Sequence, residues 1–153
     1  MKNLIKLFFI LIFISISSYA STMYMLTKLP KAYLVVENYS SKVNDDIKTE
    51  ILEILNEAST ELKIDTSGYS HRSIAFLLYE TPLEGKIVLN IELALGEMVK
   101  RVDDDNQVFA LTYQKRTQMT YENKTEDEIY ELVIEKVELL VEAFKQQYIE
   151  DNL

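Results

Sequence analysis

Along this chain the apolar residues switch between two spacings, and each switch dictates a change of secondary structure. Ile47, Ile51, Ile54, Leu55, Ala58 and Leu62 recur every three or four residues, with Lys48, Glu50, Glu53 and Glu57 falling elsewhere. That is the stripe of an amphipathic helix. From Ile87 the period drops to two. Ile87, Leu89, Ile91, Leu93 and Leu95 share one parity, opposite Lys86, Asn90 and Glu92, so this strand is expected to have one buried and one wet face. Phe109, Leu111, Tyr113, Met119 and Tyr121 mark the buried parity of a return strand, and Thr112, Gln114, Arg116, Gln118 and Thr120 its polar face. The longer period returns at Ile129, Leu132, Val133, Val137, Leu140, Val141, Phe144 and Tyr148. Two one-sided helices and a sheet with one apolar side predict a two-layer α+β sandwich, with both helices on one face of a mainly antiparallel sheet.

The other elements complete the order β-α-β-β-β-α. Ala32 to Glu37 is β-branched and aromatic and is broken by Asn38-Tyr39-Ser40-Ser41, which reads as the first strand. Asn44 or Asp45 is placed to cap the helix that follows, and this helix should stop before Gly68. Ser73 to Glu80 is apolar on both parities, as in a central strand, and Thr81-Pro82-Leu83-Glu84-Gly85 supplies the turn after it. Asp103-Asp104-Asp105-Asn106 turns the chain again. Thr125 with Glu128 forms a capping box at the start of the last helix, where Glu126 and Asp127 complement the helix dipole.

Before the domain lies a segment with the order of features found in secretory signals. Lys2 and Lys6 precede an uncharged apolar run from Leu7 to Ile16, and Ser18-Tyr19-Ala20 puts small side chains at the positions a signal peptidase reads. Residues 1–20 are therefore expected to be a signal peptide cleaved between Ala20 and Ser21, with 21–31 as a lead-in that holds a short strand at Met23 to Leu26, and 32–153 as a single domain. The expected location is the periplasm or outside the cell. Membrane contact would come only through the signal if it is retained. The chain has no cysteine, so the domain has neither disulfides nor a lipobox cysteine and must be held by its core. Removing residues 1–20 leaves fourteen basic against twenty-five acidic side chains, a net of −11. Such a charge repels nucleic-acid phosphates.

The chemical inventory is thin. His71 is the single histidine, with no nucleophile elbow among Ser67, Ser70 and Ser73, and it reads as a loop residue. Gly68, Gly85 and Gly96 make no phosphate-cradling loop, which argues against a nucleotide ligand. Asp103 to Asp105 lacks the spacing of a calcium loop and reads as a hairpin turn. Glu92 and Glu97 are the candidate acid and base pair for a carboxylate-based hydrolase. The sequence implies no catalytic residues, no metal ligands and no cofactor.

What remains is surface. The polar parity opposite the helices groups Asn90, Glu92, Thr112, Gln114 and Arg116, with Val88 and Ala94 between them, as a candidate partner-binding face that costs little stability to alter. Long edge strands without proline are also open to pairing with another chain. The expected function is that of a non-enzymatic exported accessory protein that binds another cell-envelope protein. The alternatives are a carrier of an apolar small ligand held between helices and sheet, suggested by the wide apolar face of the last helix with Met98 and Met119, and the hydrolase. In organisation, over about Ala32 to Tyr148, the chain resembles the lipopolysaccharide-assembly lipoprotein of the outer-membrane translocon and other small periplasmic α+β domains. That family carries an acylated cysteine after its signal, which is absent here, and none of its functional residues maps onto this sequence.

Overall fold

A computed structural model describes residues 26–153, and the expected signal peptide and most of the lead-in, including all but the last residue of Met23 to Leu26, lie outside the described residues. The elements follow the expected order: β1 (Tyr33–Asn38), α1 (Ile47–Glu61), β2 (Arg72–Leu83), β3 (Lys86–Lys100), β4 (Gln107–Thr120) and α2 (Glu126–Asn152). The sheet order is β1-β2-β3-β4. β1 runs parallel to β2, with α1 as the crossover, and the other two pairings are antiparallel.

Both helices lie on one side of the sheet, because each has only one apolar stripe to bury. Ile47, Ile51 and Leu55 of α1 and Val133, Val137, Val141 and Phe144 of α2 join Ile74, Phe76 and Leu78 of β2, Leu89 to Leu95 on alternate positions of β3, and Tyr113 of β4 in one core. Tyr113 meets Phe144 edge to face at 5.3 Å, and burial raises its phenol pKa to about 12. Leu26 and Leu29 are buried in the same core. The chain there is fastened to the far end of α2, where the Leu26 amide donates to Asp151 Oδ2 at 2.7 Å and Asn152 Nδ2 donates to the Leu26 carbonyl at 3.0 Å.

Local chemistry sets the element ends. The Thr125–Glu128 capping box forms as expected, with the Thr125 amide donating to Glu128 Oε2 at 2.8 Å and the Glu128 amide to Thr125 Oγ1 at 3.3 Å. The Thr125 amide and hydroxyl, both donating to Glu128 Oε2, hold the Glu128 carboxyl below its usual range. At α1 the cap differs from expectation. Asp46 stands at the cap position and makes no side-chain cap bond, while Asn44 Oδ1 accepts from the Asp46 amide one turn earlier. This helix ends well before Gly68, where Lys63 turns left-handed at φ 59°. The turn after β2 is also tighter than the sequence suggests. Thr81, Pro82 and Leu83 stay in the strand, paired with Val88, Ile87 and Lys86, and only Glu84 and Gly85 turn, at φ 50° and 80°. Positive φ at both central residues matches the natural strand twist. Ile87 has the core parity but sits at the hairpin end, beyond the helices, and is exposed.

The expected wet face of β3 is the main departure. From Val88 to Gly96 every residue of β3 is buried, on both parities. Asn90 is 0 % and Glu92 4 % exposed, although no described helix covers their side of the sheet. β3 is an inner strand, so long side chains from β2 and β4 close over it.

The loop between β1 and α1 is tied to the sheet by one carboxylate. Ser40 Oγ donates to Glu80 Oε1 at 2.7 Å and the Ser41 amide to the same oxygen at 2.9 Å, which lowers the Glu80 pKa from its ordinary 4.5. A pKa depressed by folding stabilises the native state above the unfolded value and loses that contribution as pH falls through the folded one. Glu80→Gln is therefore expected to lower the melting temperature at neutral pH. It should also shrink the loss of stability on acidification below about pH 4.5, as read from thermal melts across a pH series.

Candidate functional site

On the open side of the sheet, β3 contributes Val88, Asn90, Glu92, Ala94, Gly96 and Met98. Their register partners are Thr81, Tyr79, Leu77, Ala75 and Ser73 on β2 and Thr120, Gln118, Arg116, Gln114, Leu111 and Phe109 on β4. Two polar groups organise its centre. The Glu92 carboxylate accepts from Tyr79 Oη at 2.9 Å and from Gln114 Nε2 at 2.8 Å. Arg116 Nη1 donates to the same tyrosine oxygen at 3.3 Å, and this bond, with Glu92 behind it, holds the guanidinium more firmly charged. One step along, Asn90 Nδ2 donates to the Tyr79 carbonyl at 3.1 Å and to Thr81 Oγ1 at 2.9 Å, while its Oδ1 accepts from Gln118 Nε2 at 2.8 Å. A buried carboxylate and amide survive in a sheet only when satisfied in this way.

The five residues expected on one wet face therefore have three fates. Gln114 and Arg116 lie on the open face and bear on its surface. Asn90 and Glu92 lie on the same face but are buried within it and committed to bonds inside the sheet. Thr112 is not on it. Leu95 pairs with Tyr113 and Gly96 with Leu111, so Thr112 is an extra residue in β4, a bulge. Its hydroxyl donates to Glu97 Oε2 at 2.6 Å, on the parity that Leu95 shares with the core.

The bulge has a second effect that parity counting from the sequence misses. Across Thr112 the alternation of β4 inverts, because one inserted residue puts the side chains before it on the opposite face from those of the same parity after it. Phe109 and Leu111, expected in the core, lie instead on the open face, 59 % and 49 % exposed, with Met98 at 43 % opposite Phe109. The Phe109 ring rests on Gly96. A Cβ there would come within 2.1 Å of Phe109 Cζ, so glycine is what lets the ring lie flat on the strand. The signal in the sequence is Gly96 itself, since a glycine inside a strand marks a bulge or a close approach.

The chemical candidates are separated by the fold. Glu92 and Glu97 lie on opposite parities of β3, and Glu97 is bound to Arg72 Nε at 2.6 Å, so they cannot flank one substrate bond. His71 is an exposed loop residue, edge-on to Tyr69 at 5.3 Å. In the turn after β3, Asp105 faces Lys100 at 2.8 Å and Asp104 faces Arg101 at 3.7 Å. Among the described residues no group of three or more His, Asp or Glu side chains is arranged to hold a metal ion. A cleft of about 400 Å³ opens between the N-terminal ends of the helices, lined by Lys42, Asn44, Asp46, Glu126, Asp127 and Tyr130. The Tyr130 hydroxyl there donates to Glu50. No helix among the described residues is long and apolar enough to cross a membrane.

No protein-family model matches the chain, and no curated protein matches it. Among solved structures, it is similar to a minor lipoprotein from Acinetobacter baumannii, 13% identical with a TM-score of 0.36, over 78% of this chain and 90% of that one. It is also similar to the rare lipoprotein B from Shewanella oneidensis, 10% identical with a TM-score of 0.34, over 78% and 91%. Both are lipoproteins by name.

The hydrogen bonds reverse one sequence-based expectation, that Gln114 can be altered freely. Gln114→Ala takes a donor from a buried carboxylate and is expected to cost about 1–3 kcal/mol. Arg116→Ala removes a peripheral bond and should stay within about 0.5 kcal/mol. Urea unfolding of the two variants checks the difference, and equal stability would show that Glu92 does not depend on Gln114.

Proposed function

We propose that this chain is a non-enzymatic, exported accessory protein that binds another protein of the cell envelope through the open face of its sheet. The observation that supports this most is the apolar end of that face. Phe109, Leu111 and Met98 stand exposed together on a side that no described helix covers, next to the charged Arg116 and the anchored Gln114. Grouped apolar side chains rimmed by polar ones are typical of protein docking surfaces, whereas scattered ones are not. Export is supported by the order of charge, apolarity and small residues in positions 1–20. The carrier alternative has no comparable observation behind it. Phe76, Leu93, Val133 and Val137, each 0 % exposed, fill the layer between helices and sheet.

The test follows from the exposure of the anchors. Phe109→Ser with Leu111→Ser alters residues outside the core, so the melting temperature should change little. Recovery of a partner from cross-linked envelopes of the native host should fall sharply. Recovery of the wild-type domain as an unbound monomer, under conditions that preserve known envelope complexes, would overturn the reading.

A further inference from the structure

Resting on that reading, we infer that the free edge of β4 takes an extended segment of the partner as a fifth strand, and that this segment carries two consecutive carboxylates. β4 ends the sheet order and, among the described residues, pairs with β3 alone. Its fourteen residues contain no proline, so the backbone groups on its outer side form a ladder ready for pairing. The opposite edge, β1, is six residues long. Natural edges are usually guarded against such addition by brevity, proline, bulges or charge. Here length and sequence leave the edge available, and only the bulge and the charges shape what it will accept.

Charge then selects the occupant. The protein is strongly acidic, with a net of −9, yet of the six described elements β4 alone has basic side chains and no carboxylate. Lys115 and Arg116 are both exposed. The Lys115 side chain makes no ion pair or hydrogen bond with a described residue, and the Arg116 side chain makes one long bond to Tyr79. A second copy of this chain docked edge to edge would add another cationic strand and no counter-charge. An acidic strand gains where a copy loses, because opposite charges directly across a ladder stabilise the pairing and like charges oppose it.

The register sets the spacing. Lys115 pairs with Leu93 and Arg116 with Glu92, so the two cations project to opposite faces of the sheet. In an added strand the residues facing them are neighbours, one on each face. The partner segment is thus marked by an adjacent Asp or Glu pair within an otherwise strand-forming stretch. It lies on the Tyr113–Thr120 side of the bulge, where the ladder is regular. This mode also places the partner beside Phe109 and Leu111, so the edge and the apolar end form one continuous surface.

The experiment uses the full chain in its own host, with a photoreactive amino acid in place of Thr120, beside the edge, and in a separate variant in place of Leu139, exposed on α2. Covalent adducts are mapped by mass spectrometry, and the segment joined to Thr120 is then synthesised as a peptide. The expected result is a segment with two consecutive carboxylates whose binding slows amide exchange in residues 114–118. It should bind about tenfold more weakly to Lys115→Glu with Arg116→Glu, and recover when its own pair is changed to lysines. A segment without such a pair, binding indifferent to the reversal, or an adduct with a second copy of this chain would overturn the inference. Adducts from Leu139 alone would put the partner on the helix side and overturn both this inference and the docking reading, whereas a Thr120 adduct whose segment lacks the carboxylate pair overturns the inference and leaves the docking reading standing. Adducts from neither position would remove both.

Discussion

A strand buried on both sides imposes its needs on everything around it, and β3 is such a strand. Its helix-side residues Leu89, Ile91, Leu93 and Leu95 are covered by α1 and α2, the ordinary solution for one face of a sheet. The other side has no helix among the described residues, yet Val88, Asn90, Glu92 and Ala94 are as enclosed as the core. The cover comes from within the sheet, from Tyr79 on one flank and Gln114, Arg116 and Gln118 on the other. Because two of the enclosed residues are polar, that cover has to donate hydrogen bonds as well as exclude water. The open face is for this reason a fitted surface with fixed side-chain positions.

Much of this was legible from periodicity. The two amphipathic helices, the meander, the capping box at Thr125 and the placement of both helices on one side all follow from where the apolar period is two and where it is 3.6. What was not legible depends on cross-strand neighbours. Asn90 and Glu92 look like solvent-facing residues in a single strand, and only the register, which sets Tyr79 and Gln118 beside the first and Arg116 and Gln114 near the second, shows why they are enclosed. The β4 pattern misled for a different reason. In the sequence the alternation runs straight through Thr112, whereas the bulge breaks it, and Phe109 and Leu111 come out on the opposite face. The exposed Ile87 shows a simpler limit, since parity tells which side a residue faces and not how far the covering helices reach.

The five residues expected together on one polar face are redistributed by the fold. Gln114 and Arg116 remain surface residues, the first anchored to Glu92 and the second leaning on Tyr79. Asn90 and Glu92 become the framework that positions them. Thr112 leaves the face altogether, and the apolar trio of Met98, Phe109 and Leu111 joins it. The face thus has a polar, pre-shaped middle, in which Glu92, Tyr79 and Arg116 are linked by hydrogen bonds, beside an apolar end.

The bulge at Thr112 also bears on how such a surface arises in a lineage. Elsewhere in the sheet, moving an aromatic residue from the interior to the exterior takes a change of residue type and a repacking of whatever it leaves. Here the same transfer is achieved by chain length alone. One additional codon in β4 turns an apolar stretch outward as a block, with Gly96 across the ladder leaving room for the ring. An insertion of that kind would appear in an alignment of related chains as a gap of a single position.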